Sequence, residues 1–231
     1  YKGLDNEHDV CMVFLDVSKA FDKVYHEGLM FKLKQIGITG NLLEWLGSYI
    51  SNREQRVVVN GKTSEWKRTN AGVPQGSILG PLLFLIFIND ITEGICTNIN
   101  IFADDTSLLE EVVNVQNSYR RLNQDLETLN IWAHQWRVTF NESKTVYMHI
   151  SLKQNTPHHP DLYLNNTKLK AVESHTHLGI TLNNSMTWRH HIDRIAGKAM
   201  SRVNMLKRIR YLIPKMTALT IYKSLIRPVL E

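Results

Sequence analysis

Cysteine is nearly absent from this chain: Cys11 and Cys96 are the only two in 231 residues. Both lie in or beside apolar runs, so a disulfide framework is excluded and a reducing intracellular compartment is expected. Long apolar runs are lacking too. The longest, around residues 82–88, falls far short of the roughly 20 residues that span a bilayer. No secretory leader, internal repeat or low-complexity tract is visible. The Ser, His and Cys residues contain no nucleophile-elbow pattern. Histidines do come in pairs (His158-His159, His175 with His177, His190-His191), but without cysteine partners or an HExxH spacing. They read as solvated loop and helix side chains rather than zinc ligands. The first residue is Tyr1, not Met, and Glu231 cuts a helical pattern, so a fragment of something longer is expected.

What is present begins with enough apolar residues, 43%, to bury a core in one large domain or two small ones. The net charge of +5 is unevenly placed. Residues 186–210 hold Arg189, Arg194, Lys198, Arg202, Lys207, Arg208 and Arg210 against Asp193 alone, so the rest of the chain is slightly negative. Most charge runs are simply solvated helix faces. Seven bases to one acid instead favour a surface that tracks a phosphate backbone.

Ile99 to Leu109 places Asp104-Asp105 between two apolar runs, the pattern of a hairpin whose turn carries acids. Two like charges about 4 Å apart repel by roughly 4 kcal/mol at an effective dielectric near 20. A hard cation such as Mg²⁺ offsets that cost. An acid-rich surface turn fits this stretch equally well. A second acid tilts the balance. Val10 to Val17 is a continuous apolar run, as in a strand covered on both faces, and it contains Asp16 near its end. Three carboxylates converging at one sheet edge form the ligand set for two metal ions aligning a phosphoryl displacement.

Periodicity assigns helices to residues 27–36, 42–51 (Leu42, Leu43, Leu46 and Tyr49 inward), 82–91, 114–136, 186–209 and 216–225. Strands are expected at 144–151 and 176–182, and hairpins around Asn60-Gly61 and Asn165-Asn166. The order around the acids is strand, helix, two strands, helix, strand, with residues 18–80 inserted early. That is the split β-α-β, ferredoxin-like pattern of an α+β fold, and its connectivity sets Asp16 beside Asp104 and Asp105.

Leu15-Asp16-Val17-Ser18-Lys19-Ala20-Phe21-Asp22, Pro74-Gln75-Gly76-Ser77 and Phe102-Ala103-Asp104-Asp105 together resemble three ordered motifs of reverse transcriptases. The wider phrases, residues 72–90 and His177-Leu178-Gly179-Ile180, are similar to those of non-LTR retrotransposons, jockey-like or related. The resemblance spans nearly the whole chain. It implies a polymerase palm at 1–182, with an inserted fingers/palm segment at about 23–72 and primer-grip strands at about 161–182. Truncated thumb helices would follow at 183–231. It implies an RNA-directed DNA polymerase that uses an RNA template, a DNA primer and dNTPs, with two Mg²⁺ ions, or Mn²⁺ as a substitute.

By the same resemblance, Asp16, Asp104, Asp105 and the Val17 carbonyl are metal ligands. Phe21 is a ribose gate, against the plainer reading of a core ring. Gln75 and Gly76 lie where backbone approaches nucleotide, glycine permitting that approach. Lys144 matches a position that protonates the leaving pyrophosphate, and a solvated lysine fits equally. His177, Leu178 and Gly179 match the primer grip, although the family more often has an aromatic where His177 stands. Arg189, Lys198, Arg202, Lys207 and Arg208 would meet the nucleic-acid backbone. The resemblance further implies no membrane association, an element ribonucleoprotein in cytoplasm and nucleus, and flanking endonuclease, fingers and thumb segments. Two other classes compete: a nucleic-acid-binding remnant of a decayed element, and a metal-dependent nuclease, which would leave Pro74 to Ser77 unexplained.

Overall fold

Eight residues, Asp9–Asp16, form the central strand β1 in a computed structural model that describes residues 2–153 and 158–231. Its interior is buried on both faces, as the unbroken apolar run requires. The chain divides into two compact units, Tyr1–Val172 and Glu173–Glu231. The division falls ten residues ahead of the 182/183 boundary read from sequence.

In the first unit, helices α1 (His26–Gln35), α2 (Gly40–Ile50) and α3 (Leu79–Ile88) follow β1. Next come the hairpin β2 (Asn98–Phe102) and β3 (Asp105–Val112), then α4 (Val115–Gln135), β4 (Val146–Ile150) and β5 (Lys170–Ala171). The strand order is β5-β4-β1-β3-β2. Only the β5–β4 pairing is parallel. The expected neighbourhood holds: β1 pairs with β3 along its full length, from Asp9↔Val112 to Asp16↔Asp105.

One face of this sheet packs on α4, whose stripe of Tyr119, Leu122, Leu126, Leu129 and Ala133 is buried as the 3.6-residue period predicts. Asn114 caps the helix, its side chain accepting from the Asn117 N–H at 3.0 Å. Asp125, an acid on the buried stripe, accepts from the Cys96 and Thr97 N–H groups at 2.9 and 2.8 Å and so fixes the approach to β2. Lys32 of α1 reaches the Phe87 carbonyl and Asp90, both at 2.5 Å, under the Trp136 ring. Burial lowers its pKa, and Asp90 partly offsets this.

Several expectations need correction. Helix α3 begins at Leu79, not Leu82, and Pro81 still falls in its first turn, where a missing N–H is harmless. On α2, Leu42 faces outward and Ile50 takes the inward place, because the buried stripe runs Leu43, Leu46, Ile50 at i, i+3, i+7. Residues 176–182 are not one strand. In the second unit they belong to a hairpin of β6 (Ser174–His177) and β7 (Ile180–Asn183). The basic helix α5 spans Arg189–Ile209. Beyond Pro214, residues Lys215–Ile221 are helical before the turns widen over Tyr222–Ile226.

Candidate active site

Hydrogen bonding decides what the Asp16 end of β1 can do. The Asp16 N–H donates to Thr145 Oγ1 at 3.4 Å, and its carbonyl accepts from the Asn141 N–H at 2.7 Å. Both backbone groups therefore point to the β4 side. Asp16↔Asp105 is then a non-hydrogen-bonded pair, the closer of the two antiparallel spacings, with its side chains on one face. Val17 makes a single bridge to Phe140, closed by Ser18 N–H to Thr139 O and Asn141 N–H to Asp16 O. In that pattern the Val17 carbonyl turns away from Phe140, toward the strand that carries Asp105.

Asp104 sits in the two-residue turn between Phe102 and Asp105. Ala103, its first residue, has φ 54°, a left-handed conformation that costs a non-glycine residue about 1–2 kcal/mol. Strain of this kind collects where a turn serves a site rather than stability. Asp16 and Asp104 are half-buried and Asp105 is exposed. Lys144 Nζ lies 3.7 Å from Asp16 Oδ2. All donors here are oxygens, which fits a hard divalent cation. Among the described residues, the one group of three ligand atoms drawn within 4.8 Å of each other is elsewhere, at Asp9, His149 and His159. Three like charges without a cation are not held that close.

A second set of contacts gathers the other predicted residues. The Val73 N–H donates to the Phe21 carbonyl and the Gly72 N–H to the Val24 carbonyl, both at 2.8 Å. Gly72 has φ 91°, and a Cβ there would stand 2.7 Å from the Asp22 carbonyl oxygen, so only glycine permits this clamp. Gln75 Nε2 donates to Asp22 Oδ1 at 2.8 Å. Ser77 Oγ donates to the Pro74 carbonyl and accepts from the Gly80 N–H, tying the loop to the start of α3. Phe21 is half-buried and stacks on Phe84, ring centroids 4.4 Å apart. Gly76 has φ 79° and open space around its α-carbon. The fold thus joins Phe21, Gln75 and Gly76 through backbone and Asp22, a residue that sequence reasoning quoted without giving it a task. Thr145 was missed altogether, because a strand-leading threonine carries no local signal.

In the second unit, Leu178 and Gly179 are the turn of the β6–β7 hairpin, with φ 49° and 81°. Arg194 of α5 donates to the Gly179 carbonyl, and the Thr181 N–H donates to His191 Nδ1 at 3.3 Å. Arg189, Lys198, Lys207 and Arg208 are exposed on α5. Arg202 is not presented the same way: it is half-buried and donates to the Leu225 carbonyl. His159, expected to be solvated, is half-buried and stacked on Tyr119 and against His149.

Comparison with known proteins follows the same lines. The profile of a family described as reverse transcriptase (RNA-dependent DNA polymerase) matches residues 3–182. The chain belongs to the reverse transcriptase family. It is 30% identical, over 99% of its length, to the RNA-directed DNA polymerase from mobile element jockey of Drosophila melanogaster, of which it covers 26%. The chain spans about a quarter of the length of the curated relatives it matches. Among solved structures, apo telomerase from Candida tropicalis, truncated from its C-terminal domain, superposes with a TM-score of 0.54. The identity is 16%, over 78% of this chain and 35% of that one. Telomerase from Candida albicans, in complex with a TWJ fragment of telomeric RNA, gives 0.51 at 15% identity, over 84% and 36%. These likenesses establish a reverse-transcriptase-like α/β fold with a central mixed sheet for this family member.

Proposed function

We propose that this reverse transcriptase chain is the catalytic core of an RNA-directed DNA polymerase that copies a non-LTR mobile element, joining dNTPs to a DNA primer on an RNA template. The observation that carries the reading is the opposed pair Asp16 and Asp105, with Asp104 on the adjoining strained turn. The all-antiparallel group β4-β1-β3-β2, with α3 and α4, supports reading residues 1–182 as a ferredoxin-like palm with partial fingers. Residues 183–231 are then the start of a thumb.

Asp16, Asp104, Asp105 and the Val17 carbonyl would hold two Mg²⁺ ions, or Mn²⁺ in their place. Bound there, such ions would supply positive charge against the triphosphate and the primer 3′-hydroxyl. The chain's own residues do the rest. Lys144, beside Asp16, is set to give a proton to departing pyrophosphate. Phe21, braced by Phe84, stands as a wall against a ribose 2′-hydroxyl. Gln75 and Gly76 bring backbone to the nucleotide, with Gln75 oriented by Asp22. The His177-Leu178-Gly179 turn, held by Arg194, serves the primer, and the exposed bases of α5 meet phosphates. The fuller protein carries endonuclease, fingers and the remaining thumb, and works within an element ribonucleoprotein in cytoplasm and nucleus.

Primer extension on an RNA template tests the reading in a polymerase that contains this chain. Asp16→Asn or Asp104→Asn is expected to remove nearly all dNTP incorporation with the fold intact. Near wild-type extension in Mg²⁺ by either variant would refute the assignment.

A further inference from the structure

At the end of β1 opposite the acidic hairpin, Asp9, His149 and His159 bring their ligand atoms within 4.8 Å of one another. Asp9 opens β1 and Asp16 closes it, so the two lie about 23 Å apart at ~3.3 Å per residue. The register accounts for two of the three. β4 sets His149 directly across from Cys11, which shares a sheet face with Asp9. His159 arrives from the segment beyond β4, its ring centroid 3.5 Å from that of His149 and 5.4 Å from that of Tyr119.

Asp9 is almost wholly buried. Its Oδ1 accepts from Ser151 Oγ at 2.7 Å and faces Lys153 Nζ at 3.6 Å, while Oδ2 lies 3.5 Å from His149 Nε2. The Tyr119 hydroxyl is 3.3 Å from His149 Nδ1. Both ring nitrogens of His159 are buried and, among the described residues, have no hydrogen-bond partner, while buried Nε2 of His149 has only the 3.5 Å approach of Asp9 Oδ2. Buried polar atoms without partners are costly and uncommon, and two on one ring, beside a loosely paired imidazole and a buried carboxylate, call for a ligand that would satisfy them together.

We propose that Asp9 Oδ2, His149 Nε2 and a ring nitrogen of His159 form a binding site for a divalent transition-metal ion of the Zn²⁺ class. Two imidazoles and one carboxylate suit zinc, with water in the fourth position, and do not suit Mg²⁺, which takes oxygen donors. Burial pushes both imidazoles below their usual pKa, His159 to about 4 with His149 adding to the effect. With His149 Nε2 on the metal, its Nδ1–H donates to Tyr119, the outer hydrogen bond that orients a ligating histidine. Ser151 holds the other oxygen of Asp9. Lys153, the one lysine or arginine paired with that carboxylate among the described residues, is half exposed and can turn to water when the ion enters. The ion would clamp residue 159 to the β1–β4 edge and brace the sheet at its non-catalytic end. None of this rests on the polymerase reading.

The test uses the 231-residue chain, stripped of metal and titrated with Zn²⁺ against a chromophoric indicator, with Co²⁺ as a spectroscopic probe. One equivalent of Zn²⁺ should bind and resist millimolar Mg²⁺. Co²⁺ should show the intense visible bands of a four- or five-coordinate nitrogen and oxygen site. His159→Gln should weaken Zn²⁺ binding at least ~100-fold, the upper end of what even outer partners are worth, with the far-ultraviolet circular dichroism unchanged. His190→Gln should leave binding unchanged. Failure to take up Zn²⁺, a Co²⁺ spectrum of the hexa-aqua ion only, or zinc lost with His190 rather than His159 would each overturn the proposal.

Discussion

Replacing Asp105 with Asn is expected to stabilise the metal-free chain while removing the Mg²⁺-dependent chemistry. Asp105 and Asp16 are directly opposed in a non-hydrogen-bonded pair, where cross-strand Cβ atoms are about 4.5–5.5 Å apart. Unit charges at ~5 Å repel by roughly 3 kcal/mol at a dielectric of 20 and by under 1 kcal/mol in water. The Asp16 side chain is 40% exposed and Asp105 faces solvent, so the aqueous limit governs and the repulsion is about 0.5–1 kcal/mol. Lys144 remains beside Asp16 in the Asp105→Asn variant, so the full relief is retained. Asp16→Asn removes that attraction as well and should be close to neutral. For a unit of this size, the gain raises the melting temperature by about 1–4 °C in EDTA. Titration with Mg²⁺ should reverse the order, because the wild type gains more from an ion it binds better. Thermal melts across an EDTA-to-Mg²⁺ series, run beside primer extension, decide it. An Asp105→Asn protein less stable than wild type in EDTA, or equally stabilised by Mg²⁺, would refute the reasoning.

Phe21→Val should admit ribonucleotides far better while dNTP use falls less, since it removes a steric wall without touching the acids; an unchanged dNTP-over-rNTP ratio in kcat/KM would return Phe21 to a packing role on Phe84. Gly72→Ala should destabilise the first unit by about 2–4 kcal/mol, combining a left-handed backbone with a Cβ 2.7 Å from the Asp22 carbonyl oxygen. A urea midpoint equal to wild type would show that the clamp on Phe21 yields freely. If the four exposed bases Arg189, Lys198, Lys207 and Arg208 meet phosphates as proposed, binding to an RNA–DNA duplex should show a log–log salt slope of roughly −3 to −4. Lys207→Ala should reduce the slope by about 1, whereas Arg202→Ala, which breaks the bond to Leu225, should lower stability and leave the slope alone; a slope near zero in wild type would remove α5 from the nucleic-acid interface.

What could be read from the sequence was what depends on near neighbours. The apolar run before Asp16 marked a strand covered on both faces, and the α4 stripe marked its buried face. Asn60-Gly61 announced a turn with both φ positive, found at 49° and 76°. Leu178-Gly179 makes the same kind of turn and gave no such notice, because leucine is a poor occupant of the left-handed region. What fixes it there is a distant partner, Arg194 on the Gly179 carbonyl, and the chain between the two residues gives no hint of the contact. Asp125 and His159 went unread for a similar reason. An acid within a helix and a histidine in a loop look solvated until the backbone of residues 96–97, or the ring of Tyr119, closes over them.

The length of β1 has a chemical consequence of its own. Side chains alternate along a strand, so residues seven apart point to opposite faces. Asp9 therefore shares its face with Cys11, Val13 and Leu15 and lies in the core, whereas Asp16 lies on the other face with Val10, Met12 and Phe14. A strand with an acid at each end and six apolar residues between them thus offers one carboxylate to buried imidazoles and the other to a half-exposed acidic edge. Neither end could borrow the other's partners. One residue inserted between Cys11 and Phe14 would reverse the parity. Either Asp16 would turn into the core without a cation, or the strand would shift register and carry Asp9 away from His149. Each outcome strands a charge in apolar surroundings, at a cost of several kcal/mol, so the length of β1, and not only its composition, is constrained by the acids at its two ends.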